Sequence, residues 1–527
     1  MTILNNSDLP TSLETDKKQP TGLADFSAGP ALLRNLIDYS VIIDPAYSHL
    51  TKNRILGDTN DISLVSGKYR RHIYIIKNDL GHFYLKLSPL SHPKDRLRFL
   101  FLPWRISAEW RNLGRLSRKG INAARRVLFG YKGIYPNRGF FLVTEAINGS
   151  PINPQAPDQI QKLAAYLASL HAAGVLHRDI HPGNILLDHH GKPSLLDTQE
   201  VYFLPWIPRR IRITNLGNMW WHIRASSGCP MDLGDFLAAY NSASRSSVGV
   251  DEITSVINRR QQRHYRSRSR RCCKNSTEFQ IIKNGQGLKG FKRRDFTWGK
   301  TELQTALGQG AYIKDEKLIT HKNICIKIHH KRFLHQDRSL ASWKMARALD
   351  VRGINVPAAL AYFVVGKNSY FLNRFYDNSM TLNDYLSSDF RAKEKKSAVR
   401  AFAEWLRACH DLNVWQRDFK SSNVLVLDKQ FMMVDLDGVK IRRHLPWRKK
   451  LINLAQLNAS VSNRLTLKDR LRLFHYYCRE ERPSRKARRQ AYQRIWAITK
   501  QKNTSPFGLD PEALKPPRKI NLSTGKR

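Results

Sequence analysis

The octapeptide HRDIHPGN at 177–184 holds the residue types best suited to chemistry in this chain. Asp179 precedes Asn184 by five positions, after a helical pattern and before the short apolar run ILL. A loop of that length aims a carboxylate at an acceptor hydroxyl and an amide oxygen at a metal ion. Asp197 follows Asn184 by thirteen residues and closes the strand-like stretch SLLD. A hard cation such as Mg²⁺ takes oxygen ligands of this kind and completes its shell with water and phosphate oxygens. Upstream, Lys86 stands mid-strand in FYLKLS, where a point charge can hold phosphate oxygens. Glu109, in SAEWRNLGRL on the following helix, is placed to pair with it. A single Asp or Asn is ordinarily a cap or a turn former. This set, however, occurs twice.

WLRACHDLNVWQRDFKSSNVLVL (405–427) echoes YLASLHAAGVLHRDIHPGNILL (166–187). His171 and His410, Asp179 and Asp418, and Asn184 and Asn423 match at an offset of 239. Asp197 and Asp435 match at 238, as do NLGNM from Asn215 and NLAQL from Asn453. Lys86 pairs with Lys327 in ICIKIH, and RKGIN (118–122) with VRGIN (351–355). The order is kept and the offset drifts by only a few residues, so the chain is a tandem duplication.

Each copy must contain elements that hold these residues. Alternating stretches such as HIYIIK (72–77), HFYLKL and FFLVTEA (140–146) predict an antiparallel sheet. A basic, amphipathic helix at about 105–118 interrupts them. Helical segments follow, including IQKLAAYLASLHAAG (160–174), with apolar residues at i, i+3 and i+4. A small β-rich lobe followed by a larger helical lobe binds its ligand in the cleft between them. His171 and His410 lie on helices before the loops and read as packed structural histidines; Trp220 and Trp221 read as core.

Composition bounds the rest. The chain has 527 residues, of which 41% are hydrophobic and 10% aromatic. At roughly 100–200 residues per domain, that length suggests two to four domains and excludes a wholly disordered chain. No run approaches the ~20 apolar residues of a membrane span; the longest, AALAYFVV (358–365), has the length of a buried strand. The N-terminus lacks the pattern of a secretory signal. Six cysteines without a CxxC spacing argue against a disulfide framework or zinc site and fit a reducing cytosol. The balance of 89 Lys+Arg against 43 Asp+Glu gives a net charge of +46. Residues 259–271 hold seven arginines with no evident apolar period and read as a solvated linker.

The ordered set Lys86, Glu109, His177-Arg178-Asp179, Asn184 and Asp197 resembles the eukaryotic-type protein kinase fold. His181-Pro182-Gly183-Asn184 narrows the resemblance to small-molecule kinases, including aminoglycoside phosphotransferases and the lipopolysaccharide kinase family. Asp197-Thr198-Gln199, EWRNLGRL followed by RKGIN, and NLGNMWWHI (215–223) are similar to bacterial kinases of Kdo and heptose sugars. The resemblance implies an α+β fold of two tandem protein kinase-like domains, each with a small β-rich N-lobe and a larger helical C-lobe. The expected division is a tail at 1–38, a domain at 39–248, an Arg-rich linker at 249–275, a second domain at 276–500 and a tail at 501–527.

It further implies ATP and Mg²⁺ as cosubstrate and cofactor. Asp179 and Asp418 would be catalytic, and Asn184, Asp197, Asn423 and Asp435 would hold the metal. Lys86, Glu109 and Lys327 would serve ATP, and Glu145 would fall at the hinge that offers backbone groups to adenine. The implied acceptor is a Kdo or heptose hydroxyl of lipopolysaccharide core, at the cytoplasmic face of the inner membrane. The basic surplus then suits an anionic membrane surface, through the linker, the region from Arg96 to Arg126 and RPSRKARR at Arg482–Arg489. No nucleic-acid-binding module accompanies the charge, so no specific nucleic acid is expected. A protein Ser/Thr or Tyr kinase, or a membrane-associated pseudokinase scaffold, remains the alternative reading.

The sequence departs from the kinase pattern in places. Gly67 is the only glycine near a phosphate-covering turn before Lys86, and no APE-like segment follows Asp197, which favours a small or glycolipid acceptor. In the second copy Gln416 replaces the loop histidine, and Lys420 stands two residues past Asp418, where it can reach the transferred phosphate. Aligning Trp110 with Trp343 puts Ser342 opposite Glu109, so Lys327 is expected to lose its partner and be less constrained. Asp337 could substitute only by a shift of helix register, and LGQGAYIKD (307–315) offers a possible phosphate-covering turn. The first copy is the better-equipped kinase on this reading, and the second a weaker or differently specific one.

Overall fold

The computed structural model describes residues 36, 38–57, 62–68, 71–90, 107–132, 139–225, 229–285, 287–314, 317–331, 335–462, 465–479 and 484–501. Nearly all of the expected tails (1–35, 37 and 502–527), the stretch 96–106 of the first basic region and residues 482–483 of the second therefore lie outside the described residues, as does Asp315 of LGQGAYIKD. The chain divides into two compact units between Gln261 and Gln262.

The first unit begins with β1 (Ser40–Ile43), α1 (Lys52–Leu56), β2 (Ile62–Lys68), β3 (Arg71–Asn78), β4 (Gly81–Ser88), α2 (Ala108–Arg118), β5 (Arg126–Tyr131) and β6 (Phe140–Glu145). The strands form one sheet in the order β1-β5-β6-β4-β3-β2, and all its pairings are antiparallel. The alternation in HFYLKL does what a period of two requires. Phe83, Leu85 and Leu87 are buried, and Lys86 emerges on the opposite face.

The helical part follows with β7 (Gly149–Pro151), α3 (Pro157–Ala172), β8 (Val175–His177), β9 (Ile185–Asp188), β10 (Pro193–Leu195), β11 (Val201–Phe203), α4 (Arg209–Ala225), α5 (Leu233–Ala243) and α6 (Val250–Ser269). Leu163, Leu167 and Leu170 of α3 pack with Leu216 and Met219 of α4 and Ile253 and Ile257 of α6. Trp220 belongs to this core, and Trp221 packs against it. Gly217 lets α4 and α6 approach closely, since a Cβ there would lie 2.6 Å from Val256.

The Arg-rich stretch is not an extended linker. Most of it is helical, and a 3-10 turn at Arg270–Cys273 continues it, with Cys272 buried. Ile253, Val256 and Ile257 are buried at helical spacing, and Tyr265 lies further along the same helix. The arginines that crowd 259–271 hide this face from a reading of local polarity.

The second unit contains β12 (Phe279–Gly285), β13 (Leu288–Arg293), α7 (Lys300–Gln309), β14 (Ala311–Lys314), β15 (Leu318–His321), β16 (Ile324–His330), α8 (Arg338–Asp350), β17 (Ala359–Val365) and β18 (Asn368–Arg374). Its sheet runs β12-β13-β17-β18-β16-β15-β14. The AALAYFVV run is β17, with Leu360 to Val364 buried. Then come β19 (Met380–Thr381), α9 (Leu382–Ser387), α10 (Ala392–Asp411), β20 (Val414–Gln416), β21 (Val424–Leu427), β22 (Gln430–Met433), β23 (Val439–Ile441), α11 (Trp447–Ser460), α12 (Leu467–Tyr477) and α13 (Arg485–Gln501). Each unit is thus a β-rich lobe joined to a helical lobe, the architecture of a protein kinase-like domain. No described helix is long and apolar enough to cross a membrane.

Candidate active site

Backbone pairing assembles the loop residues in both units. In the first, Arg178 N donates to Glu200 O at 3.0 Å, and Leu196 N to Asn184 O at 2.8 Å, which carries Asp179, Asn184 and Asp197 to one place. In the second, Arg417 N donates to Gly438 O at 3.0 Å and Val434 N to Asn423 O at 3.0 Å, with the same result for Asp418, Asn423 and Asp435. Asn184 Nδ2 donates to Asp179 O at 2.9 Å, and Asn423 Nδ2 to Asp418 O at 2.9 Å. These bonds turn each amide oxygen away from the loop backbone. Asp197 (φ 45°, ψ 57°) and Asp435 (φ 57°, ψ 55°) both adopt the left-handed conformation, uncommon outside glycine. Such strain gathers at functional sites, where the surroundings enforce it.

A second layer fixes the loops, and the sequence reading missed most of it. His177 Nε2 lies 3.1 Å from Asp197 O and donates to it. Gln416 Nε2 makes the equivalent bonds to Val434 O (3.1 Å) and Asp435 O (3.3 Å), so this substitution keeps the loop supported. Asn215 Nδ2 donates to His177 O at 2.8 Å, and Asn453 Nδ2 to Gln416 O at 2.7 Å. His171 bridges Tyr240 OH and Asn215 Oδ1, and His410 bridges Tyr477 OH and Asn453 Oδ1. The NLGN and NLAQ match held the signal for these asparagines, which the spacing alone identifies only as a repeat marker.

The two bridging histidines make stability pH-dependent. Burial pushes the pKa of His171 down to about 4 and that of His410 to about 3. In an unfolded chain both would titrate near 6.5. Below that value the unfolded state binds protons that the native state refuses, so stability present above pH 6.5 is lost as pH falls through 4. The full loss is about 3 kcal/mol for His171, and about 5 kcal/mol for His410 if the fall continues through pH 3. Urea titrations from pH 7.5 to 4.5 should show midpoints falling below pH 6.5, with a shallower fall in His410→Gln. A profile that His410→Gln leaves unaltered would contradict this account.

The partners of the two strand lysines distinguish the units. In the first, Glu109 is only 9% exposed and accepts bonds from Lys86 and, at 3.0 Å, from Arg71. Arg71 also reaches Asp197 at 3.6 Å, linking the pair to the loop. No motif marks Arg71; the hairpin register of β2 and β3 delivers it. Asn112, on the same helix as Glu109, donates to Thr198 O (2.8 Å) and Val201 O (3.0 Å) and pins α2 to the segment after Asp197.

In the second unit Ser342 is buried, with no partner for its hydroxyl among the described residues. Lys327 is nevertheless held firmly, which corrects the expectation of a less constrained lysine. It pairs with Asp435 and, at 3.3 Å, with Asp437, to which Arg338 also donates. Burial opposes ionisation of Asp437, but the charges of Lys327 and Arg338 and the bond from Arg338 outweigh it and hold its carboxyl at about 2. Asp337 does not stand in for the missing glutamate. It caps α8 by accepting from Leu340 N at 3.1 Å, and it binds Tyr362 OH (2.7 Å) and Ser369 Oγ (2.9 Å).

Other expected positions fall as follows. Glu145 ends β6, where its carboxylate accepts from Tyr47 OH and lies 3.9 Å from Arg125. Its own N–H donates to Arg125 O at 2.9 Å. Burial and then Glu145 raise the pKa of Tyr47. Gly67 pairs with His72 within the β2–β3 hairpin. Gly308 and Gly310 do not form a phosphate-covering turn, because they end α7 rather than cap the β14–β15 hairpin. Packing explains Gly310: a Cβ there would lie 2.2 Å from Ile319 Cγ2 and 2.5 Å from Ala306 O. Lys420 Nζ lies 2.8 Å from Asp418 Oδ2.

Asn184 with Asp197, and Asn423 with Asp435, each offer one amide and one carboxylate oxygen. No cluster of three or more His, Cys, Asp or Glu side chains forms a metal cage among the described residues. A pair of hard oxygen donors fits Mg²⁺ shared with substrate phosphates, the usual arrangement for that ion.

A β-rich lobe over a helical lobe, with a strand lysine above a loop carrying Asp, Asn and a second Asp, defines the class of kinases with a protein kinase-like fold. The chain belongs to the lipopolysaccharide kinase (Kdo/WaaP) family, which it matches over residues 61–240 and 302–477, once in each unit. Two curated relatives, the serine/threonine-protein kinases PknA of Mycobacterium tuberculosis and of Mycobacterium bovis, are 35% identical over 71 residues. That similarity spans 11% of this chain and 16% of each relative. Two solved structures of WbdD, one described as a bifunctional kinase-methyltransferase, align at TM-scores of 0.24 and 0.23 with 16% identity. They cover 37% and 36% of this chain, which spans 49% and 47% of theirs.

Proposed function

We propose that the chain is an ATP-dependent phosphotransferase acting on a Kdo or heptose hydroxyl of lipopolysaccharide core, with the first unit as its principal catalyst. The observation that carries this reading is the connected set Lys86–Glu109–Arg71–Asp197 beside the Asp179 loop. Asp179, exposed at the loop, orients the acceptor hydroxyl and takes its proton as the oxygen attacks the terminal phosphorus of ATP and ADP leaves. Asn184 and Asp197 hold Mg²⁺, which when bound neutralises phosphate charge. Lys86, fixed by Glu109, stabilises the charge developing on the phosphates, and the backbone at Glu145 receives adenine. Positioning and electrostatics supply nearly all of the rate, because the protein forms no covalent bond.

In the second unit Asp418, Asn423, Asp435 and Lys327 take the same roles, but Lys327 already neutralises Asp435. We infer a weaker or differently specific site there. The basic surface of the chain suits an anionic membrane that presents the acceptor.

The test offers dephosphorylated lipopolysaccharide core in anionic vesicles and a generic protein substrate side by side, with labelled ATP and Mg²⁺. Label should enter the glycolipid, and the vesicle-bound fraction of protein should fall as salt is added. Label in the protein substrate alone would install a protein kinase instead, a reading that the short PknA similarity favours. Nucleotide binding with no transfer would leave a scaffold, and salt-insensitive vesicle binding would overturn the membrane part.

A further inference from the structure

The buried stripe of α6 runs through Ile253, Val256 and Ile257, and the next position on it is Arg260. A cation therefore occupies the helix face that packs on α4. Its Nη1 donates to Asn218 Oδ1 at 2.5 Å and its Nη2 to His222 Nε2 at 2.9 Å. A guanidinium has only donors, so His222 Nε2 accepts and the ring is neutral at that nitrogen. Burial, then Arg260 and His181, push the His222 pKa down to about 4, in agreement. The His222 ring lies 5.4 Å from the ring of His181, which stands two residues past Asp179. The charge of Asp179 reaches Arg260 and favours its protonation against the effect of burial.

Neither partner of Arg260 is a carboxylate, and no ion pair to it occurs among the described residues. A half-buried cation hydrogen-bonded only to neutral groups is costly; the Asp179 charge offsets part of that cost, and a bound anion completes it. Three of its five N–H groups remain beyond the bonds to Asn218 and His222. The second unit uses the matching positions differently. Gln456, opposite Asn218, donates to Arg417 O at 2.7 Å and accepts from Phe419 N at 3.2 Å. Ser460, opposite His222, accepts from Ser421 N at 2.8 Å. There the helix braces the loop backbone, whereas in the first unit it holds a cation.

We propose that Arg260, supported by Asn218 and His222 and flanked by His181, is an acceptor subsite of the first unit that binds the carboxylate of an acidic sugar beside Asp179. This rests on the sugar-kinase reading and selects its acidic acceptor, Kdo, over heptose for the first unit. A planar fork facing a carboxylate gives two-point binding, which orients the sugar as well as attracting it.

The experiment uses the full chain with free Kdo and its methyl ester, measuring binding by calorimetry and phosphate transfer in parallel. Wild-type protein should bind the acid about 30-fold more tightly than the ester, the scale of one charge-assisted contact. Arg260→Gln should reduce that preference to less than about 3-fold. Equal binding of acid and ester by the wild type, or an intact preference in Arg260→Gln, would overturn the subsite. Arg260→Lys serves if the glutamine variant fails to fold: it keeps the charge without the fork, and its preference should fall between the two. An undiminished preference in the lysine variant would also overturn the proposal. Transfer to neither sugar would defeat the kinase reading, while the binding ratio still decides the subsite.

Discussion

Asp179→Asn should lower phosphate transfer to the proposed lipopolysaccharide acceptor by about 10³-fold, because on the proposed mechanism it removes the carboxylate that would orient the hydroxyl and accept its proton. The fold should survive, since the bonds that shape the loop use the Asp179 carbonyl rather than its side chain. Asp418→Asn alters the equivalent group of the second unit and should cost the same product less than about 3-fold. The asymmetry follows from the lysines. Lys86 rests on Glu109 and leaves Asp197 to Arg71 at 3.6 Å, whereas Lys327 sits directly on Asp435. The second unit must break that contact before Asp435 can serve a metal ion. Steady-state rates of the two variants on one acceptor decide the point. Equal loss of the same product in both would end the proposed division of labour.

Glu109→Gln should lower kcat by about 10²-fold and raise the Mg²⁺ concentration for half-maximal rate about 10-fold. Glu109 is a buried carboxylate shared by two cations, Lys86 and Arg71. Its neutralisation leaves Asp197 as the nearest carboxylate for Arg71, and a carboxylate engaged by a cation binds a second one less well. Misplacement of Lys86 accounts for the rate, and competition at Asp197 for the metal dependence. Titration of Mg²⁺ at saturating ATP separates them. A variant that loses rate with unchanged Mg²⁺ dependence would show that Arg71 does not communicate between Glu109 and Asp197. Arg71→Gln supplies the converse: the Mg²⁺ requirement should fall while Lys86 keeps its partner.

The convergence of Asp179 with Asn184, and of Asp418 with Asn423, was legible because it is local. Asp179 and Asn184 are five residues apart, and their bond closes within the loop, so the contiguous string specifies the geometry. The duplication adds a second reading of every position and marks Gln416 as the counterpart of His177; its bonds to Val434 and Asp435 do the work of the histidine. Strand alternation likewise put Lys86 on the face opposite Phe83, Leu85 and Leu87. Gly310 misled, because a glycine needed for close packing and one needed to cover a phosphate look alike in sequence.

The amino-acid order by itself determined the family, the two lobes of each unit and the residues that meet in each loop. Only the tertiary structure decided which charges neutralise one another. Lys327 finds Asp435 and Asp437 more than a hundred residues away, and Arg260 reaches Asn218 and His222 from a helix whose arginines masked its buried face. Ion pairs have no periodicity and no fixed spacing. Their partners are set by which elements pack together, and packing follows from apolar faces that carry no record of the charges they bring into contact.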